Sequence, residues 1–92
     1  MTANKNFSLR DIGDVHLLVP LKEPFQKERV IIINEPGTLL WNSLLKSDTC
    51  TCEELAGILI KTYGIDQDTA LADTNTFLSS LEEKGAITYD SL

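Results

Sequence analysis

The sequence predicts an α+β fold, winged helix-turn-helix-like, in which three N-terminal antiparallel strands precede three helices. Three observations predict it. The first part of the chain alternates apolar and polar residues around a Gly13-Asp14 turn. The second half carries apolar residues three and four apart in blocks that start at capping residues. Between them, the run Arg29-Val30-Ile31-Ile32-Ile33-Asn34-Glu35-Pro36-Gly37-Thr38-Leu39-Leu40-Trp41 passes from strand to helix without a linker.

Residues 7 to 19 read as a hairpin. Phe7, Leu9 and Ile12 are the apolar residues of the first arm, and Val15, Leu17 and Val19 alternate on the second. Gly13 accepts positive φ and so supplies the turn. Pro20 ends the second strand because it has no N–H for a ladder. Leu21 to Glu28, with Pro24 and several charges, reads as a loop. The third strand is Arg29 to Ile33, where Val30, Ile31, Ile32 and Ile33 are four β-branched residues in succession. A strand apolar at odd and even positions has no plainly solvent-facing side. It is either covered on both faces or carries a docking surface.

Asn34 is the expected N-cap of a first helix from about Glu35 to Lys46, with Pro36 near its start. Its apolar face is Leu40, Trp41, Leu44 and Leu45. Ser47 to Cys50 form a polar connector. The second helix opens on a capping box, Thr51 three residues before Glu54. It buries Leu55, Ala56, Leu59, Ile60 and Tyr63, and stops at Gly64. The third helix is capped by Asp66 and carries the stripe Ala70, Leu71, Thr74, Phe77, Leu78 and Leu81. Lys84 suits the last turn, Gly85 ends the helix, and Ile87, Thr88 and Tyr89 form a short extended tail.

The 92 residues fit one domain, 1–92, with an ordinary apolar fraction of 42% and charged fraction of 24%. No run of 18 apolar residues predicts a membrane span. Met1 to Asn6 lacks the apolar core of a signal peptide, so the expected location is the cytoplasm. The net charge is −6. Nucleic-acid binding draws its affinity from Lys and Arg on phosphate. The third helix, counted with its cap, instead offers Asp66, Asp68, Asp73, Glu82 and Glu83 against Lys84 alone. The scaffold suits a DNA-binding module, but its face has the wrong sign.

No catalytic constellation emerges. Glu53-Glu54 and Glu82-Glu83 are helix neighbours that point about 100° apart and cannot converge. His16 stands alone in sequence, without a partner to orient it as a general base. Cys50 and Cys52, the only cysteines, do not make a zinc site and read as free thiols. There is no glycine-rich phosphate loop. The sequence therefore predicts a protein that is not an enzyme, with no cofactor and no metal.

Three segments resemble the family of coenzyme PQQ synthesis protein D, PqqD, over about Phe7 to Ile87. The first is Phe7-Ser8-Leu9-Arg10-Asp11-Ile12 with the Leu17-Leu18-Val19-Pro20 strand end. The second is Ile33-Asn34-Glu35-Pro36-Gly37-Thr38-Leu39-Leu40-Trp41, similar to the family's Asn-Glu-(small)-Gly-x-x-(apolar)-Trp junction. The third runs from Tyr63-Gly64-Ile65-Asp66 through Asp73-Thr74-Asn75-Thr76-Phe77-Leu78 to Leu81 and Gly85. It is similar to the family's Asp-(apolar)-x-x-Phe-Leu-x-x-Leu pattern. Two positions depart: Thr74 replaces a usual apolar residue, and Pro36 a small polar one.

The resemblance implies a peptide chaperone. It would bind the leader of a ribosomally made precursor peptide and present it to a modifying enzyme, a radical SAM protein or a leader peptidase. The leader is expected to add as a strand beside Val30, Ile31, Ile32 and Ile33, facing Ala70, Asp73, Thr74 and Phe77 of the third helix. The residues agree, because an apolar edge strand is an aggregation hazard unless something pairs with it. Phe77 reads equally as core. Asp73, an acid on an apolar stripe, either meets a polar leader group or is a surface acid. Two other readings stay open: a winged-helix DNA-binding or regulatory module, and a dimerisation domain that pairs the third strand with its own copy. The expected state is a monomer or weak dimer.

Overall fold

Gly13 takes φ +61° and closes a two-residue loop, so that Ile12 and Val15 face each other across a hairpin. A computed structural model describes residues 1–21, 29–46 and 50–88. The elements are β1 (Thr2–Ala3), β2 (Phe7–Ile12), β3 (Val15–Pro20), β4 (Ile31–Ile33), α1 (Glu35–Lys46), α2 (Cys52–Tyr63), α3 (Gln67–Glu83) and β5 (Ile87–Thr88). The fold is α+β and winged-helix-like: an antiparallel sheet of order β2-β3-β4, then three helices. The expected loop over 22–28, the connector residues 47–49 and Tyr89 lie outside the described residues.

The sheet packs one face on the helices. Phe7, Leu18, Ile31 and Ile33 are buried. They join Leu40, Trp41 and Leu44 of α1, Leu55, Ala56 and Leu59 of α2, and Ala70, Leu78 and Leu81 of α3 in one core. Each fully buried Leu contributes about 1.5–3 kcal/mol. On β3 the buried positions are Leu18 and Pro20, so Leu17 and Val19 lie on the outer face. That face is apolar, with Ile12, Val15 and Ile32 exposed.

Three sequence expectations need correction. The third strand is shorter than Arg29 to Ile33, since only Ile31, Ile32 and Ile33 pair with β3. It also has a clear solvent side, because Ile32 is 75% exposed between two buried neighbours. Leu45 and Tyr63, expected in the core, are exposed at 43% and 44%. Both sit near helix ends, where the stripe runs past the elements available to cover it.

The helix termini behave as their chemistry dictates. Thr51 Oγ1 accepts from Glu54 N–H at 3.2 Å, and Asp66 Oδ2 accepts from Thr69 N–H at 3.1 Å. Gly64 adopts the left-handed conformation and donates to Ile60 O. At the end of α3, Ala86 N–H reaches Leu81 O at 2.7 Å and Gly85 N–H reaches Glu82 O at 3.0 Å. That pair of bonds is a Schellman motif, and it requires Gly85 at φ +81°. Arg29 completes it: its Nε donates to Lys84 O at 3.0 Å while its guanidinium lies 5.3 Å from the Phe7 ring centroid. A cation on the last carbonyls also complements the helix dipole.

β1 was not anticipated. Thr2 and Ala3 pair with Thr88 and Ile87 of β5, bringing the two ends of the described chain together. Asn4 anchors this pairing. Its N–H donates to Ala86 O at 2.7 Å, its Nδ2 to Gly85 O at 3.0 Å, and its Oδ1 accepts from Asn6 N–H at 2.9 Å.

Asn4→Ala removes two side-chain bonds and should lower unfolding stability by about 1–2 kcal/mol in urea titrations. Thr74 is fully buried, and among the described residues its hydroxyl has no hydrogen-bond partner. Thr74→Val should therefore be neutral or stabilising by about 1 kcal/mol, measured the same way. Hydrogen bonds from the Thr69 hydroxyl and N–H hold the Asp66 carboxyl below its ordinary value of 3.8. A carboxylate lowered in the folded state stabilises above its unfolded pKa and loses that contribution as pH falls through the folded value. Asp66→Asn should flatten the stability–pH curve below the ordinary aspartate range and change nothing in its slope near neutrality.

Candidate functional site

β4 is an edge strand. β3 holds one side through the pairs His16↔Ile33, Leu17↔Ile32 and Leu18↔Ile31, and among the described residues no strand pairs with the other. Three residues suffice for this strand because Asn34 ends it at once. The Asn34 Oδ1 accepts from Gly37 N–H at 2.9 Å, and Thr38 N–H reaches Asn34 O at 3.1 Å. That cap starts α1 directly at the end of β4.

A groove of about 620 Å³ runs beside this edge. Ile31, Ile32 and Ile33 form its strand wall, continued by Asn34, Pro36 and Gly37. The buried side chains of Leu40 and Leu59 form its floor. Asp73, Thr76, Phe77 and Ser80 of α3 form the facing wall, on one helical face. Tyr63 and Ile65 add the end of α2 and the loop after it. Among the described residues, Asp73 is the only charged side chain in the lining, and it is exposed. The surface is thus an apolar trough with a polar rim and one carboxylate.

The structure brings together five of the eight residues expected from sequence: Ile31, Ile32, Ile33, Asp73 and Phe77 line the groove. Val30 precedes β4 and does not line it. Ala70 and Thr74 are wholly buried and point into the core, beneath the surface that Asp73 and Phe77 present. A helical stripe three and four apart covers more than one face, and the inner edge of this one is core. The sequence reading missed the contributions of Gly37, Leu40, Leu59, Tyr63 and Ser80. Gly37 left one signal: a glycine in a helix costs about 1 kcal/mol against alanine, so its presence needs a reason.

Outside the groove, His16 and Cys52 are two described titratable groups with close partners. His16 Nδ1 lies 2.5 Å from Asp11 Oδ1, directly across the β2–β3 ladder. This supplies the orienting partner that sequence alone did not offer, yet neither residue lines the groove. Burial, reinforced by Glu53, pushes the Cys52 thiol up, and its Sγ lies 3.2 Å from Asn75 Oδ1. Cys52 is therefore a neutral thiol at pH 7, a poor nucleophile. Among the described residues, no three His, Cys, Asp or Glu side chains converge, and no helix is long and apolar enough to cross a membrane.

Two solved structures share this architecture. TbiB1 in complex with the TbiA(beta) leader peptide matches with a TM-score of 0.74 and 20% identity, covering 100% of both chains. Lasso peptide synthetase B1 complexed with the leader peptide matches with a TM-score of 0.68 and 19% identity, over 90% of this chain and 91% of that one. Identities this low establish a common fold. No curated protein matches the chain. Residues 17–87 match the family described as Coenzyme PQQ synthesis protein D. That match covers most of the 92 residues and includes β4, the Asn34 junction and all three helices, so the chain belongs to the PqqD family.

Proposed function

We propose that this protein is a non-catalytic recognition element. It binds the leader of a ribosomally synthesised precursor peptide and presents the peptide to a modifying enzyme. The observation that carries the reading is the edge of β4, which no strand among the described residues pairs with, beside an apolar groove. A peptide strand added there satisfies the outward main-chain groups of β4, and its side chains enter the groove on alternate positions. Ile32 and Phe77 supply apolar contact, and Asp73 pairs with a polar or cationic leader group at the rim. The two structural neighbours are described with leader peptides bound, which supports the same role for this groove. The enzyme served is a radical SAM protein or a leader peptidase.

The competing readings use the same parts differently. A DNA-binding winged helix would press α3 against phosphate, and the exposed Asp68, Asp73, Glu82 and Glu83 oppose that. Self-pairing through β4 uses the same edge as a leader and would compete with it.

Ile32→Lys tests the proposal cleanly, because Ile32 is 75% exposed and its loss leaves the core intact. The variant should melt like the parent and bind leader peptide at least about tenfold more weakly by fluorescence anisotropy. In NMR titrations of the parent, amide shifts should cluster on Ile31–Ile33 and on the Asp73–Ser80 face. Unchanged binding by a folded Ile32→Lys variant would overturn strand addition at this edge.

A further inference from the structure

The groove is shaped at the strand-to-helix junction by a side chain that is not there. Gly37 sits in the first turn of α1, buried, with its N–H held by Asn34 Oδ1. A Cβ at this position would lie 3.0 Å from Phe77 Cε1, 3.2 Å from Asn34 Oδ1 and 3.2 Å from Ile33 Cβ. All three distances are tighter than ordinary van der Waals contact, so a neighbour must give. Ile33 is locked in the core and Asn34 is locked as the helix cap. Phe77 is only half-buried, and the space open to its ring is the groove it lines. A side chain at residue 37 would thus drive the ring into the groove.

We propose that Gly37 is a specificity-determining residue: it seats the Phe77 ring against the start of α1. This keeps the junction end of the groove open and sets the size of the peptide side chain accepted there. The subsite walls are Ile33, Leu40, Leu59 and Phe77, so that side chain is large and uncharged. The inference rests on the leader-binding reading and adds a size filter to it. Close-packed walls discriminate by single methylenes, each worth about a tenfold or larger change in affinity.

The test uses overlapping synthetic peptides that span the short open reading frames beside the gene, measured by fluorescence anisotropy. The best binder is then alanine-scanned. Gly37→Ala should weaken the parent peptide about tenfold. It should weaken the peptide whose subsite residue is already alanine by less than about twofold. Adding Phe77→Leu, which removes the crowded ring edge, should return most of the lost affinity. A merely structural role for Gly37 would weaken all peptides alike, and that unchanged selectivity would overturn the inference while leaving leader binding in place. Absence of binding by the parent protein to every peptide would overturn leader recognition and the size filter together. If Gly37→Ala does not fold, the same selectivity ratio is read by comparing Gly37→Ala/Phe77→Leu with Phe77→Leu. With the ring edge gone the two ratios should be equal, and a selectivity change on Gly37→Ala that persists in that pair overturns the inference.

Discussion

One residue, Asn34, stands between β4 and α1, and the geometry of the groove follows from it. Its side chain caps the helix through Gly37 N–H while its carbonyl accepts the first helical bond, from Thr38. A strand that must turn into a helix within one residue cannot extend further along the sheet. It therefore ends at Ile33, on the edge of the sheet. The same turn brings the first helical residues alongside the strand end, and the groove wall passes from sheet to helix without a break. A cap is usually counted as about 1 kcal/mol of helix stability. Here it also fixes one wall of the groove.

Two further contacts set the distance between that strand and α3. Before β4, Arg29 grips the carbonyl end of α3 at Lys84 and lies over Phe7. After β4, the space that a Cβ on Gly37 would fill is bounded by the Phe77 ring of α3, whose Cε1 would lie 3.0 Å from it. Strand and helix are thus tied at both ends of the strand by contacts of different kinds, one polar and one steric. The apolar groove between them stays open although its walls are of the sort that ordinarily collapse together.

The helices were legible because their signals are local. Thr51, Asp66, Gly64 and Gly85 act within one turn, and each does in the structure what its chemistry suggests. The β2–β3 hairpin was legible for the same reason at Gly13. The pairing of Thr2–Ala3 with Ile87–Thr88 was not, since two residues carry no periodicity and their partners are some 85 positions away. The groove was half legible. β-branched residues named the strand, and helical spacing named α3, but spacing alone does not separate Asp73 and Phe77 at the rim from Ala70 and Thr74 in the core. That distinction depends on where α2 packs, which is a tertiary fact. The role of Gly37 lies in an absent atom, visible only once Phe77 is placed beside it.

The pairing of β1 with β5 has an architectural consequence. Thr2 and Thr88 are cross-strand partners, so these two points of the chain lie within one strand spacing, about 5 Å. Neither strand lines the groove. A host chain can therefore accept this unit as an insertion in a surface loop, because the loop need not open to span it. Such a graft leaves β4 and its trough untouched.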